Sequence, residues 1–287
     1  MNHFIDILNL IRAKNWIKNL LIFVPICFSS LPITKNLIFG LFDLFFCISV
    51  LSSIVYIIND IADLESDKQD LIKRKRPIAS GKITKKNSLI VCLILMSLLI
   101  SYVLFKHNNL LNLILLYYFL LNLGYTFFLK FIFLLDVVVL SLFYIIRVVA
   151  PIYYFNLTFS IWLITIMFFA ISAVGFGKRY MDIKNNENNI HFSSIYKKKN
   201  LVFLIIFFAI VLQILFFLFS NSENTLLKFG ELFYLSSIIV FAGTSRYLYS
   251  LFKKNFSDPI EIFIKDKILL TLVIFFAIYS VYSIYNI

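Results

Sequence analysis

Long apolar runs recur along this chain, separated by polar segments that carry most of its charged residues. A run of about 18 to 22 residues, at ~1.5 Å per helical residue, covers the ~30 Å hydrocarbon layer of a bilayer. Pro25 and Pro32 shorten the first run, so we expect the amphipathic segment before it to continue that span. The pattern predicts an all-α bundle of nine transmembrane helices, starting near Leu20, Leu37, Ser88, Leu110, Phe131, Leu157, Leu201, Leu232 and Ile268.

The composition agrees with this pattern. Of the 287 residues, 61% are hydrophobic, a share far above that of a soluble domain. We therefore interpret residues 1–287 as a single transmembrane domain, integral to the plasma (inner) membrane, with the bilayer as its surroundings.

The basic residues are distributed unevenly between the two sides of this predicted bundle. With the N-terminus in the cytoplasm, only Lys35, Lys106 and Lys228 face the opposite side. An excess of Lys and Arg on the cytoplasmic side is typical of membrane proteins, and it accounts for most of the net charge of +12. A nucleic-acid partner is therefore not expected. The longest polar loops also lie on the cytoplasmic side, so we expect the active site to open there.

The most distinctive polar stretch is YIINDIADLESDKQDLIKRKRPIASGKI, residues 56–83, which follows the second apolar run. Asp60, Asp63 and Asp67 stand at helical spacing on one face, with Asn59 beside the first. Three carboxylates that close repel one another unless a cation lies between them. Oxygen donors without a nearby His or Cys favour Mg²⁺, which shares its coordination with water and substrate phosphates.

Two basic clusters can bind phosphate groups. The first follows the acidic residues and includes Arg74 and Arg76; the second, with Lys178 and Arg179, ends the sixth apolar run. Ordinary cytoplasmic anchoring is the alternative interpretation of both clusters.

Two ionisable residues, Asp136 and Arg147, lie inside the fifth apolar run, where such residues are costly and mark function by default. About 16 Å separates them along a helix, so they cannot pair directly. Asp136 is near enough to the cytoplasmic end to reach the site of Asp60, and Arg147 is expected in an interhelical ion pair or at a functional site. Arg246 is expected to reach the interface or a phosphate, and Asp43 to extend towards the membrane surface.

The segment NDIADLESD, residues 59–67, resembles the NDxxDxxxD motif of the UbiA superfamily of intramembrane prenyltransferases. RAKNWIKN (12–19), KRKRPIASG (73–81) and GKRYMD (177–182) are similar to its polyprenyl-phosphate phosphoribosyltransferase branch. Aromatic prenyltransferases of the superfamily carry a second DxxxD-like motif. Here Asp182 is followed by Asn186 at the fourth position, which departs from that motif.

The resemblance implies a nine-helix enzyme that transfers 5-phosphoribose from phosphoribosyl diphosphate to a polyprenyl phosphate lipid. It implies Mg²⁺ as cofactor, held by Asn59, Asp60, Asp63 and Asp67. The residues expected to bind phosphate are Lys18, Arg74, Arg76, Lys178 and Arg179. Asp60, Asp63, Asp67 and Asp136 are the expected catalytic residues, and further substrate contacts are expected from Tyr125, Lys130, Tyr180, Asp182 and Arg246.

Two other classes of protein stay open at this point. One is a transferase of the same fold that moves a prenyl group from a prenyl diphosphate to an aromatic acceptor. The other is a transporter of anions or lipid phosphates, although transporters often break helices at Gly and Pro, and this chain has only 7 Gly and 5 Pro.

Overall fold

The structure, a computed structural model, describes residues 2–27, 34–70, 73–106, 108–157, 160–185, 196–254, 256 and 258–285. Every regular element in these ranges is helical, as the apolar pattern predicts. The chain forms two compact units, Met1–Phe159 and Ser160–Ile287. The expectation of one catalytic domain over residues 1–287 stays a prediction.

The described part of the first unit holds seven α-helices and three 3₁₀ segments. The helices are α1 (Asn2–Leu10), α2 (Val24–Cys27), α3 (Lys35–Ala62), α4 (Leu64–Gln69), α5 (Lys85–Lys106), α6 (Asn109–Phe127) and α7 (Leu135–Tyr154); the 3₁₀ segments are Ala13–Phe23, Lys73–Lys75 and Leu129–Phe131.

Helix α3 is the centre of the first unit. Its N-terminus is capped by Thr34, whose side-chain oxygen accepts a hydrogen bond from the backbone N–H of Leu37 at 3.2 Å. The helix packs against α5, α6 and the long 3₁₀ segment, and residues such as Leu44 and Ile54 are fully buried there. The acidic motif therefore begins in the last turn of a helix that is anchored in a well-packed core.

The second unit contains six α-helices and one 3₁₀ segment in its described ranges. They are α8 (Ile161–Asn185), α9 (Lys198–Ser220), α10 (Glu223–Phe229), the 3₁₀ segment Glu231–Leu235, α11 (Ser236–Lys253), α12 (Pro259–Lys265) and α13 (Lys267–Tyr285). Helices α8, α9, α11 and α13 line an apolar cavity of about 230 Å³.

Six described helices are long and apolar enough to cross a membrane: α3, α5, α6, α7, α8 and α9. A seventh is added if Glu223–Phe229 and Glu231–Lys253 form one span; the chain bends by 109° between them. The protein is thus an integral membrane protein. Two of the predicted spans are not long continuous helices in the structure. The first is a 3₁₀ segment followed by the short α2, with Pro25 near the break, and the apolar segment Lys267–Ser283 is shorter than a full span.

Candidate active site

The acidic motif lies where α3 breaks. That helix ends at Ala62 and α4 begins at Leu64, with Asp63 between them at φ −92° and ψ 8°. The backbone N–H groups of Asp63 and Asp67 still donate to the carbonyls of Asn59 and Asp63, at 2.9 and 2.8 Å. The sequence predicts one helical face for the three carboxylates. In the structure the helix breaks at Asp63; Asp60 and Asp67 contact one common partner, and Asp63 contacts another.

Asp60 and Asp67 share one guanidinium. Nη1 of Arg76 donates to Oδ1 of Asp60 at 3.1 Å and to Oδ2 of Asp67 at 2.5 Å. Asp60 also accepts a hydrogen bond from Nη2 of Arg12, and the Arg12 guanidinium lies over the ring of Tyr56 at 4.9 Å. Both carboxylates are only 2% exposed, so these charge-assisted bonds offset much of the cost of burying them.

Asp63 contacts a separate cation. It accepts hydrogen bonds from Nζ of Lys130 and, at 3.1 Å, from Nδ2 of Asn59. Lys130 belongs to the 3₁₀ turn between α6 and α7 and is buried. Lys130 thus forms a direct ion pair with the acidic motif, and its contact with substrate stays a prediction.

The protonation of Asp67 is set by opposing effects. Burial raises the pKa of its carboxyl group above the ordinary value, and the neighbouring Asp60 raises it further. The Arg76 guanidinium acts in the other direction, but the net change in the pKa is upward. The Arg76 guanidinium is thus the neighbour that favours the ionised form of Asp67.

The other predicted residues of the first unit differ in burial and in the elements that carry them. Asp136 is fully buried in the first turn of α7, and Tyr125 packs edge-on against Phe143 with ring centroids 5.6 Å apart. Lys18 is half-buried on the long 3₁₀ segment, and Arg74 is exposed. Their roles with substrate stay predictions.

Two intramembrane charges of the first unit have defined partners. Arg147 donates to Oδ1 of Asn19 at 2.6 Å, to the hydroxyl of Tyr118 at 2.8 Å and to the carbonyl of Phe143. All three acceptors are neutral, so the interhelical ion pair expected for Arg147 is not formed within the described ranges. Asp43 binds Lys106 at 2.5 Å and Tyr102 at 2.6 Å instead of extending alone to the surface.

The second basic cluster lies at the end of α8, in the second unit. Arg179 is buried and pairs with Asp182 at 3.4 Å, while Lys178 pairs with Asp258 at 3.3 Å. Tyr180 is buried edge-on against Phe252, with ring centroids 5.3 Å apart. Asn186, the departure from the second acidic motif, lies outside the described residues.

Arg246 has an acidic partner rather than a free guanidinium. Its Nε donates to both carboxylate oxygens of Asp266 at 3.1 Å, and Ser250 and Lys254 donate to the same carboxylate. Burial by itself raises the pKa of Asp266, but the hydrogen bonds from Lys254, Ser250 and Arg246 outweigh it and hold the pKa well below its ordinary value. A phosphate-binding role for Arg246 would require this network to open.

Oxygen donors of the acidic motif suit Mg²⁺, but only part of the predicted set converges. No three acidic, His or Cys side chains in the described ranges form a metal-binding group. Asp60 and Asp67 nevertheless meet at one cationic nitrogen of Arg76, and Mg²⁺ commonly binds through one or two carboxylates together with water and phosphate oxygens. The pair Asp60 and Asp67 therefore fits the ion, whereas Asn59 and Asp63 form a separate contact.

Arg12 is the main site residue that the sequence analysis missed. Its guanidinium contacts Asp60 across 48 positions of the chain. Spacing cannot reveal such a long-range pair. The available signal was its place at the start of RAKNWIKN, one of the segments that carry the family resemblance.

The family model for the UbiA prenyltransferase family matches residues 21–273. The chain belongs to this family, and membership in a family of transferases supports an enzyme rather than a transporter.

Two curated relatives align with a little under two thirds of the chain. Protein y4nM of Sinorhizobium fredii is 32% identical over 177 residues, 62% of this chain and 34% of that protein. A Mycobacterium tuberculosis protein named decaprenyl-phosphate phosphoribosyltransferase is 30% identical over 179 residues, 60% of this chain and 58% of that protein. The aligned regions thus span between a third and three fifths of these relatives.

A solved structure with the same fold is that of a UbiA homolog from Archaeoglobus fulgidus bound to GPP and Mg²⁺. It matches with a TM-score of 0.66 and 17% identity, covering 97% of this chain and 98% of the other. At this identity the likeness shows the fold alone.

Proposed function

We propose that this protein transfers 5-phosphoribose from phosphoribosyl diphosphate to a polyprenyl phosphate and releases diphosphate, with Mg²⁺ as cofactor. The observation that carries the proposal is the double contact of Arg76 with Asp60 and Asp67, because it folds the basic run onto the acidic motif. The relatives named decaprenyl-phosphate phosphoribosyltransferase support the choice of donor and acceptor.

Asp60 and Asp67 would hold the metal, with Asp63 kept in place by Lys130 and Asn59. Bound Mg²⁺ would neutralise negative charge on the departing diphosphate. Arg12 and Arg76 already lie on the carboxylates and have further N–H groups for phosphate oxygens. We expect Arg74 and Lys18 to add phosphate contacts in the first unit, and Lys178 and Arg179 in the second.

In the proposed reaction, an oxygen of the lipid phosphate forms a bond to C1 of the ribose as the bond from C1 to the diphosphate oxygen breaks. Positive charge that develops on the ribose ring is stabilised by nearby carboxylates, for which the buried Asp136 is the candidate. Tyr125 and Lys130 are proposed to line the junction between the ribose and the lipid head. Tyr180, Asp182 and Arg246 are proposed as substrate contacts of the second unit, the last only after release from Asp266.

We also propose that the bundle crosses the plasma membrane nine times, with the N-terminus and the acidic motif on the cytoplasmic side. The proposal counts the broken first segment and α13 as spans in addition to the seven apolar candidates. The uneven distribution of Lys and Arg supports the orientation.

One assay tests the reaction. Purified protein is incubated with Mg²⁺, phosphoribosyl diphosphate labelled in the ribose, and a polyprenyl phosphate, and the lipid is extracted into organic solvent. Label in the lipid phase that depends on Asp60 is the expected result. Absence of transfer, together with diphosphate release from a prenyl diphosphate and an aromatic acid, would replace the proposal with the aromatic prenyltransferase.

A further inference from the structure

A small polar cavity lies at the turn between α1 and the long 3₁₀ segment. Its volume is about 170 Å³, and its lining consists of Leu8, Asn9, Arg12, Lys14 and Asn15. Two of these side chains are cationic, two are amides, and none is acidic. The lining is therefore suited to an anion.

The cavity is attached firmly to the core of the first unit. Ser53 on α3 donates to the carbonyl of Ile11 at 2.9 Å and accepts a hydrogen bond from Nε1 of Trp16 at 3.0 Å. On the α1 side, Asp6 pairs with Lys82 at 3.7 Å. Residues on both sides of the turn are thus fixed to α3 and to the segment that follows the basic run, which holds the lining side chains together.

Several donors of the lining have no partner in the protein. Within the described ranges, the side chains of Asn9, Lys14 and Asn15 make no hydrogen bond or ion pair. Arg12 adopts a left-handed backbone conformation, with φ 51° and ψ 47°, which L-residues rarely adopt. Arg12 lines the cavity, and its guanidinium bonds Asp60, so one residue joins the cavity to the acidic motif.

We propose that this cavity binds a phosphate monoester. Such a group carries up to two negative charges and accepts several hydrogen bonds, which Lys14, Arg12 and the two amides can donate together. The inference rests on the proposed function, in which both substrates carry this group: the 5-phosphate of the soluble donor and the phosphate of the lipid acceptor. Either one, bound here, would lie one guanidinium away from Asp60.

The test uses two soluble probes on the purified full-length protein: radiolabelled ribose 5-phosphate, and geranyl phosphate as a short lipid phosphate. Lys14→Gln and Asn15→Ala remove cavity donors, and Lys35→Gln removes an exposed charge at the other end of α3 as a matched control. We expect Lys14→Gln to weaken binding of one probe about tenfold, the loss of one charge-assisted contact. Lys35→Gln should leave binding unchanged, and unlabelled ribose should not compete. Thermal unfolding in detergent checks that each variant is folded.

The outcomes separate the sources of the phosphate and the two proposals. Weakening confined to ribose 5-phosphate assigns the cavity to the donor, and weakening confined to geranyl phosphate assigns it to the lipid. If Lys14→Gln and Asn15→Ala bind both probes like the wild type, or if the wild type binds neither probe, the cavity proposal is wrong. Phosphoribosyl transfer that is normal in both variants would leave the proposed function standing. Probe binding that depends on Lys14, found in a protein without phosphoribosyl transfer, would support the cavity proposal and contradict the proposed function.

Discussion

Nε of Arg147 donates a hydrogen bond to Oδ1 of Asn19 at 2.6 Å, and the two residues are 4% and 1% exposed. The amide of Asn19 donates in turn to Ser49 at 2.8 Å, and Arg147 also binds the hydroxyl of Tyr118. This chain of contacts joins the 3₁₀ segment to α3, α6 and α7. Because Arg12 directly precedes the 3₁₀ segment, the network also supports the position of the guanidinium that reaches Asp60.

Replacing Arg147 with methionine should lower the free energy of unfolding by about 2 kcal/mol or more. The substitution leaves the buried Asn19 and Tyr118 without a charged donor, and hydrogen bonds to charged groups contribute ~1.5–3 kcal/mol each. Thermal unfolding of the purified protein in detergent measures the loss. The double variant Arg147→Met with Asn19→Leu should recover part of it, since the orphaned amide is then removed. A single variant as stable as the wild type would contradict the network's role.

Much of the helical framework follows from local sequence. The apolar runs predicted to start near Leu37, Ser88 and Leu110 correspond to α3, α5 and α6, because helix formation in a membrane depends mainly on a long apolar stretch. The first predicted span does not fit this rule. A proline and several polar residues lie in the same short segment. Its 3₁₀ form is accompanied by tertiary contacts such as the hydrogen bond from Asn19 to Ser49.

The site itself was predictable only in part. The motif of Asp60, Asp63 and Asp67 can be found by its spacing, since these residues are neighbours along the chain. Their cations cannot, because Arg12 and Lys130 approach from 48 and 67 positions away. Such pairs follow from how the helices pack, which a single sequence does not reveal.

Asp60→Asn and Asp67→Asn should each abolish turnover in the transfer assay. Asn is nearly isosteric and keeps one oxygen acceptor, so folding should survive while the charge that attracts a metal or cationic ligand is lost. Turnover and thermal unfolding are measured on the same preparations. Substantial activity in both variants, or activity that a chelator leaves unchanged, would contradict the assignment.

The carboxylate of Asp266 should make the protein less stable in acid. Its folded-state pKa lies below the unfolded value of ~3.9, so the ionised group stabilises the fold above that pH. This contribution is lost as the pH falls from about 4 towards the folded-state pKa. Unfolding measured between about pH 6 and pH 3 should therefore show a steeper decline for the wild type than for Asp266→Asn. Equal slopes would mean that Arg246, Ser250 and Lys254 do not favour the ionised form.

The proposed orientation places Lys75 and Lys198 in the cytoplasm and Lys106 and Lys228 outside. Single cysteine substitutions at these four positions, made in a background without the native cysteines, can be labelled in intact cells with an impermeant maleimide. Only the second pair should react before the membrane is opened. Equal labelling of both pairs would contradict the nine-span arrangement. Labelling at Lys75 and Lys198 alone would keep nine spans but reverse their orientation in the membrane.

Gly177 and Gly243 offer a matched pair of substitutions in the second unit. A Cβ added at Gly177 would stand 2.4 Å from the hydroxyl oxygen of Tyr247, whereas one added at Gly243 meets nothing within 4 Å. Tyr247 is buried and stacked on Phe263, with ring centroids 5.5 Å apart. Gly243→Ala should therefore stabilise α11 by up to ~1 kcal/mol through helix propensity, while Gly177→Ala should destabilise the protein.

The tyrosine hydroxyl supplies a decisive control for this last prediction. It is buried and has no hydrogen-bond partner among the described residues, so Tyr247→Phe alone should cost little or stabilise slightly. Combined with Gly177→Ala, the same change removes the atom nearest the new methyl group, and most of the lost stability should return. Thermal unfolding of the four proteins in one detergent measures this coupling. If the double variant is as unstable as Gly177→Ala alone, the clash lies elsewhere, with Leu251, 3.3 Å from the added Cβ, as the remaining candidate.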